Sequence, residues 1–285
     1  MSGNELIGRM NINLEGRRNL LVARSAERRT NVRKSAGLWS EIEKLMRQMV
    51  DLDIADNLKL WVHNGLVKTR TSGSDLYVLK AYDISGEEND AVQATEANQP
   101  ELVSDGMEFD GSDDYLEGTA PGTITANSCS ISCWIKFNSY SGVSVAYNIG
   151  PNTTSHGIVF GCVFASVYEG MMASLGTSAP SPIGSKSKYA DTGLPTEGEW
   201  GFYVITSSGS SITNIYINEI DRTKTSGNRL VLTTNNNYCL GARYNDSVTS
   251  FINGGVSDLR LFDKVLTSTE ISAIYNQTKG FYGIT

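Results

Sequence analysis

From Leu58 onward the chain is a succession of short apolar runs separated by turn residues. This punctuation, more than any single motif, limits what the chain can fold into. Runs fall at 60–62, 109–116, 129–137, 143–149, 157–164, 200–206, 212–218, 229–232, 238–242 and 255–262. Alternation of apolar and polar positions is clearest in Trp200-Gly201-Phe202-Tyr203-Val204-Ile205-Thr206 and in Ile215-Tyr216-Ile217. About a dozen strands at this spacing predict an all-β fold, a two-sheet antiparallel sandwich. Residues 176–198, with Pro180, Pro182 and Pro195 among Gly and Ser, read as a long loop without regular structure.

The first 57 residues differ from the rest. They carry ten Lys/Arg against eight Asp/Glu, whereas the remaining 228 carry 14 against 23, for a total of −7. Within them, Arg17, Arg18, Arg24, Arg28, Arg29, Arg33 and Lys34 face only Glu27, so a basic arm precedes an acidic body. Leu38, Ile42, Leu45, Met49 and Leu52 then recur at 4-3-4-3 spacing, a heptad-type apolar seam of about two heptads. Two readings stand side by side: one amphipathic helix packed on the domain or a neighbour, or self-association into a short bundle. Either way the expected division is 1–57, arm and helix, and 58–285, sandwich. Further on, Thr267-Ser268-Thr269-Glu270 reads as a capping box opening a helix whose apolar face is Ile271, Ile274 and Tyr275.

Several chemistries are set aside by residue type and spacing. Cys129 and Cys133 on one strand lie roughly 13 Å apart, too far to bridge, and only His63 and His156 are available to complete a zinc site. The four cysteines are therefore expected to be free and buried. Cys129, Ile131, Cys133, Ile135 and Phe137 should share one core face. Glu219-Ile220-Asp221-Arg222-Thr223-Lys224 is the nearest approach to a paired-carboxylate glycosidase strand, but Lys224 stands where a last acid is needed and the segment falls at a hairpin turn. Neither histidine has a nucleophile elbow nearby, with His156 read as a loop residue, and Gly-rich phosphate loops are absent. No enzyme is expected. The basic arm lacks interleaved aromatics, which argues against nucleic acid. No apolar run reaches the length of a membrane span or a signal-peptide core.

Specific segments resemble a family. Leu60-Trp61, Tyr82-Asp83-Ile84-Ser85-Gly86, Asn89-Asp90-Ala91 and Gly106–Leu116 resemble the opening of laminin-G-like, concanavalin A-like jelly rolls common in bacterial and phage proteins. Ser130-Ile131-Ser132-Cys133-Trp134-Ile135-Lys136, the Trp200–Thr206 strand with Ile215-Tyr216-Ile217-Asn218, and Gly255–Leu266 with the helix after it continue the likeness in order, over roughly 58–280. The resemblance implies two curved sheets that bind sugars or surfaces through the concave sheet and its rim loops. Candidate sugar-stacking aromatics are Trp134, Tyr147, Tyr168 and Tyr244. Calcium is the one cofactor it suggests, with Asp110, Asp113, Asp114 and Asp258 as candidate ligands. Ser257 stands where family members often carry the first of two adjacent acids. Together with the arm, this leads to the expectation of a bacteriophage structural protein located in the virion. Arg17, Arg18, Arg28 and Arg29 would anchor it to other virion proteins and the seam would make a homo-oligomer. The head would contact a host surface glycan or decorate the capsid. A free bacterial carbohydrate-binding module or lectin is the alternative.

Overall fold

The computed structural model describes residues 44, 45, 47, 49, 51–121, 128–150, 155–165, 168–177, 187–208, 211–224, 237–245 and 247–285. Among them lie eighteen strands: β1 (Leu58–Ser72), β2 (Asp75–Asp83), β3 (Ala91–Val92), β4 (Glu101–Leu102), β5 (Met107–Asp110), β6 (Leu116–Thr119), β7 (Ser128–Phe137), β8 (Gly142–Gly150) and β9 (Ser155–Ala165) come first. Then follow β10 (Tyr168–Thr177), β11 (Ser187–Ala190), β12 (Trp200–Ser208), β13 (Ser211–Ile217), β14 (Ile220–Asp221), β15 (Asn237–Leu240), β16 (Arg243–Asn245), β17 (Ser247–Thr249) and β18 (Asn253–Phe262). A helix at Ser268–Thr278 closes the fold.

The ladder runs β11-β10-β9-β8-β15-β6-β3-β2-β4-β5-β18-β7-β12-β13-β14, with β1 paired to both β18 and β2. It doubles back near β2 and β5, so its two halves face each other as the sheets of a jelly-roll sandwich. Phe160 on β9 meets Tyr203 on β12 across the interior, ring centroids 5.6 Å apart. Strand alternation is what builds this layer: Cys129, Ile131, Cys133, Ile135 and Phe137 all enter the inter-sheet core, as their spacing predicts. All four cysteines are free and buried.

A second core lies on the outer face of the β18-β7-β12 sheet. Trp61, Trp134, Trp200, Phe202 and Val204 project there and are covered by the C-terminal helix through Ile271, Ile274 and Tyr275. The N-terminal helical residues cover it too: Leu45 and Met49 are buried in this cluster and Leu52 packs against it. At Leu45, Met49 and Leu52 the apolar face of the seam packs on the chain's own sandwich. For the same reason the boundary at 57 cuts through a packed core. Leu38 and Ile42, like Arg17, Arg18, Arg28 and Arg29, lie outside the described residues.

Three local expectations also change. The short strand at 60–62 is part of a 15-residue strand paired with β2. The long loop at 176–198 contains the end of β10 and all of β11. His156 sits on β9 rather than in a loop. The capping box forms as read: Thr267 Oγ1 accepts from the Glu270 N–H at 3.3 Å, and the Glu270 carboxylate accepts from the Thr267 N–H at 2.7 Å. The expected strand at 229–232 lies outside the described residues.

Candidate functional site

One end of the sandwich gathers polar and aromatic side chains on loops held by strand ends. Arg70, on the β1–β2 hairpin, donates through Nε to Gln99 Oε1 at 2.5 Å and through Nη2 to Glu96 O at 2.8 Å. Its guanidinium lies 4.5 Å from the centre of the Tyr77 ring. Gln99 Nε2 donates to Gln93 O, and Gln93 Nε2 to Tyr115 O. Asn98 Nδ2 donates to Asp113 O at 3.0 Å, and the Tyr115 N–H to Asn98 O at 3.2 Å. The hairpin, the 93–100 loop and the 110–115 turn are thus fastened into one rim, with Tyr77 and Tyr115 half-buried.

The acidic turn belongs to this rim. Asp110, Asp113 and Asp114 bring ligand atoms within 4.8 Å of one another. Gly111 at φ 80° makes the turn, and a Cβ there would lie 2.8 Å from that of Asn253, so only glycine fits. Asp110 Oδ1 accepts from the N–H groups of Ser112 and Asp113, and Asp114 Oδ2 from that of Asp110. Burial and the neighbouring Asp110 and Asp113 charges push the Asp114 carboxyl up to about 6. A cation would relieve that repulsion. The donors are of the kind calcium takes, but three carboxylates fall short of its usual six to eight oxygens, so backbone carbonyls or water would have to complete the shell.

Asp258 does not join them. Asn253 pairs with Asp110, and Asp258 lies five residues further along β18, roughly 16 Å away. It sits at a bulge with φ 50° and is fully committed. Trp61 Nε1 donates to Oδ1 at 2.6 Å, and Arg260 donates through Nε to Oδ1 at 3.0 Å and through Nη2 to Oδ2 at 2.7 Å. Burial pulls its carboxyl upward, but the Arg260 charge, His63 and these hydrogen bonds outweigh burial and hold it below the usual range. It is a structural ion pair, not a metal ligand.

Two aromatic candidates are corrected as well. Trp134 is buried beneath the C-terminal segment and donates through Nε1 to Thr278 Oγ1 at 2.9 Å. Tyr147 is buried between the sheets, stacked on Phe160 with centroids 5.4 Å apart. Neither presents a ring face to solvent. Tyr168 opens β10 and Tyr244 lies on β16; their side chains lie outside the described residues. Sequence reasoning missed Tyr77 and Tyr115. The signal was there, since both flank turns rich in Gly and Asp.

Glu219 and Asp221 lie in and beside a tight turn. Asn218 and Glu219 take positive φ in the β13–β14 turn, and Asp221 accepts from Asn214 Nδ2 and the Thr223 N–H. Asp83, fully buried, accepts from the N–H groups of Trp61, Ser85 and Asn89 and so pins the loop before β3. No described helix is long and apolar enough to cross a membrane.

Comparison with known proteins agrees with this architecture. The family model described as the concanavalin A-like lectin/glucanases superfamily matches residues 110–272. A search of curated proteins finds no match to this chain. Among solved structures, Trypanosoma rangeli sialidase is 14% identical with a TM-score of 0.55, the alignment covering 86% of this chain and 40% of that one. The botulinum neurotoxin serotype D binding domain is 17% identical with a TM-score of 0.52, covering 79% and 52%. At such identities the likeness is one of fold. The matched segment leaves out β1 to β4 and all of β5 but Asp110, yet β1 and β5 pair with β18 inside it, so these strands complete the same sandwich. With more than half of its length matched, the chain belongs to the concanavalin A-like lectin/glucanase superfamily.

Proposed function

We propose that this chain is a non-catalytic binding module whose sandwich engages carbohydrate through the rim formed by the β1–β2 hairpin and the 93–115 loops. The carrying observation is that rim. It places two half-buried tyrosines, Arg70 and three carboxylates together on loops cross-linked by hydrogen bonds. Aromatic faces stack on sugar rings, and carboxylates and amides exchange hydrogen bonds with hydroxyls. Membership of a lectin-containing superfamily supports the same reading, as does the naming of one fold neighbour as a toxin's binding domain. The acids closest to a glycosidase pattern are engaged in a turn, which favours binding over hydrolysis.

As the finer reading, the module is a bacteriophage virion component, anchored through the basic arm containing Arg17, Arg18, Arg28 and Arg29. The charge contrast between arm and body supports it. A free bacterial lectin is the second reading, and it makes the arm dispensable. The full-length protein on a glycan array tests the binding function: saturable capture that Tyr115→Ala or Tyr77→Ala weakens several-fold is expected, and an array without signal overturns it. Replacing the four arginines by alanine separates the two readings. Loss of the variant from gradient-purified particles that retain the parent protein supports the virion component, and a parent protein that captures sugar without associating with particles supports the lectin.

A further inference from the structure

The outer face of the β18-β7-β12 sheet carries an aromatic slot filled by the chain's own end. Tyr282 lies nearly parallel to Trp134, centroids 4.1 Å apart at 17°, and leans on Trp200 at 5.1 Å. Its hydroxyl donates to Ser257 Oγ at 2.8 Å, which donates in turn to Asn64 Oδ1 at 2.9 Å. The Tyr282 phenol is pushed well up by burial and by Asp258, and Arg260 acts on it in the opposite sense, so both charges lie near the slot. Arg260 is fully buried, and its Nη1 has no hydrogen-bond partner among the described residues. The guanidinium itself lies over the Trp61 ring, 4.8 Å from its centre.

The segment that holds Tyr282 in place is slight. Lys279–Tyr282 is a single 3₁₀ turn, Phe281 is 44% exposed, and Gly280 and Gly283 flank the tyrosine, the latter at φ 73°. Ile284 is the other strap residue packed on the core. Removing a strap of this kind costs far less than opening a helix, because few buried contacts hold it.

We propose that the C-terminal strap is a displaceable cover over a second ring-binding slot, walled by Trp134 and Trp200, that takes a pyranose ring in place of the Tyr282 side chain. A pyranose offers the same flat stacking face with several hydroxyls, one of which would take the place of the Tyr282 hydroxyl on Ser257 Oγ. The inference rests on the reading of the chain as a sugar-binding module but uses the outer sheet face in place of the Tyr77 and Tyr115 rings, with Trp200 tied through Nε1 to Asp105 Oδ2 at 2.8 Å. In the closed form the strap lowers apparent affinity by the fraction of molecules in which it is open.

Full-length Tyr282→Ala, titrated calorimetrically with methyl β-glucopyranoside and with glucuronate while tryptophan emission is followed, tests it. The variant is expected to melt cooperatively and to bind one of these probes at least about tenfold tighter than the parent protein. Phe281→Ala, which leaves the strap in place, is expected to behave as the parent. A folded variant that binds neither sugar, or binds only phenol, overturns the proposal. So does a variant that loses its cooperative melt, since the strap is then core and not cover. Capture at the rim is read separately through Tyr115→Ala, so failure of one site is distinguishable from failure of the other.

Discussion

Two buried aspartates make opposite demands on pH. Asp114 titrates at about 6 in the folded chain against an ordinary 3.8, so between those values the folded state binds more protons than the unfolded. Stability therefore falls as pH rises through that window, and the whole cost is present at neutral pH. Asp114→Asn keeps an acceptor for the Asp110 N–H and removes the charge. It should gain about 1 kcal/mol at pH 7, less than the full shift because solvent screens a half-buried carboxyl, and nothing below pH 3.8, measured by urea unfolding at both. Asp258 is held below its ordinary value, so its contribution is present above that value and is lost as pH falls beneath it. That contribution depends on its partner. Arg260→Met leaves a buried carboxylate with Trp61 as its remaining hydrogen-bond donor, and about 3–5 kcal/mol should be lost at pH 7 in the same measurement.

At the scale of elements, what was legible was local. The capping box could be read from four consecutive residues because both of its hydrogen bonds close within them, and Thr267→Ala should cost about 1 kcal/mol in thermal unfolding. The core face of β7 could be read from alternation alone. Its other face could not: a sugar contact at Trp134 needs an open ring face, and no local pattern announces that Thr278, 144 residues later, sits on its indole N–H. The length of β1 was hidden for another reason. Register shifts after Leu58, Val62 and Lys68 break its alternation, so only the apolar run at 60–62 stands out in the sequence. The rim was half legible. Its acids were visible as a turn motif, whereas Tyr77 and Tyr115 meet them only through the fold.

The helical seam shows the same limit and gives the molecule its third layer. A 4-3-4-3 apolar stripe says that a face must be covered, not by what. Here Met49 is fully buried against the sandwich, so Met49→Ala should cost about 2–5 kcal/mol, read from the urea midpoint. Removing residues 1–57 should lower the melting temperature rather than release an independent head, because it strips Leu45, Met49, Ile54 and Ala55 from the outer core. The consequence extends to assembly. A seam turned inward offers Leu45 and Met49 to no second copy, and Leu52 only in part. Light scattering of the full-length chain is therefore expected to give the mass of one chain at moderate salt. Association driven instead by the basic arm against the acidic body would be electrostatic, and should dissolve as screening shortens the range of those charges. An oligomer that persists in molar salt would require an apolar interface. It would show that the helix leaves the sandwich to pair with a neighbour, and Met49→Ala would then split the oligomer instead of merely lowering its stability.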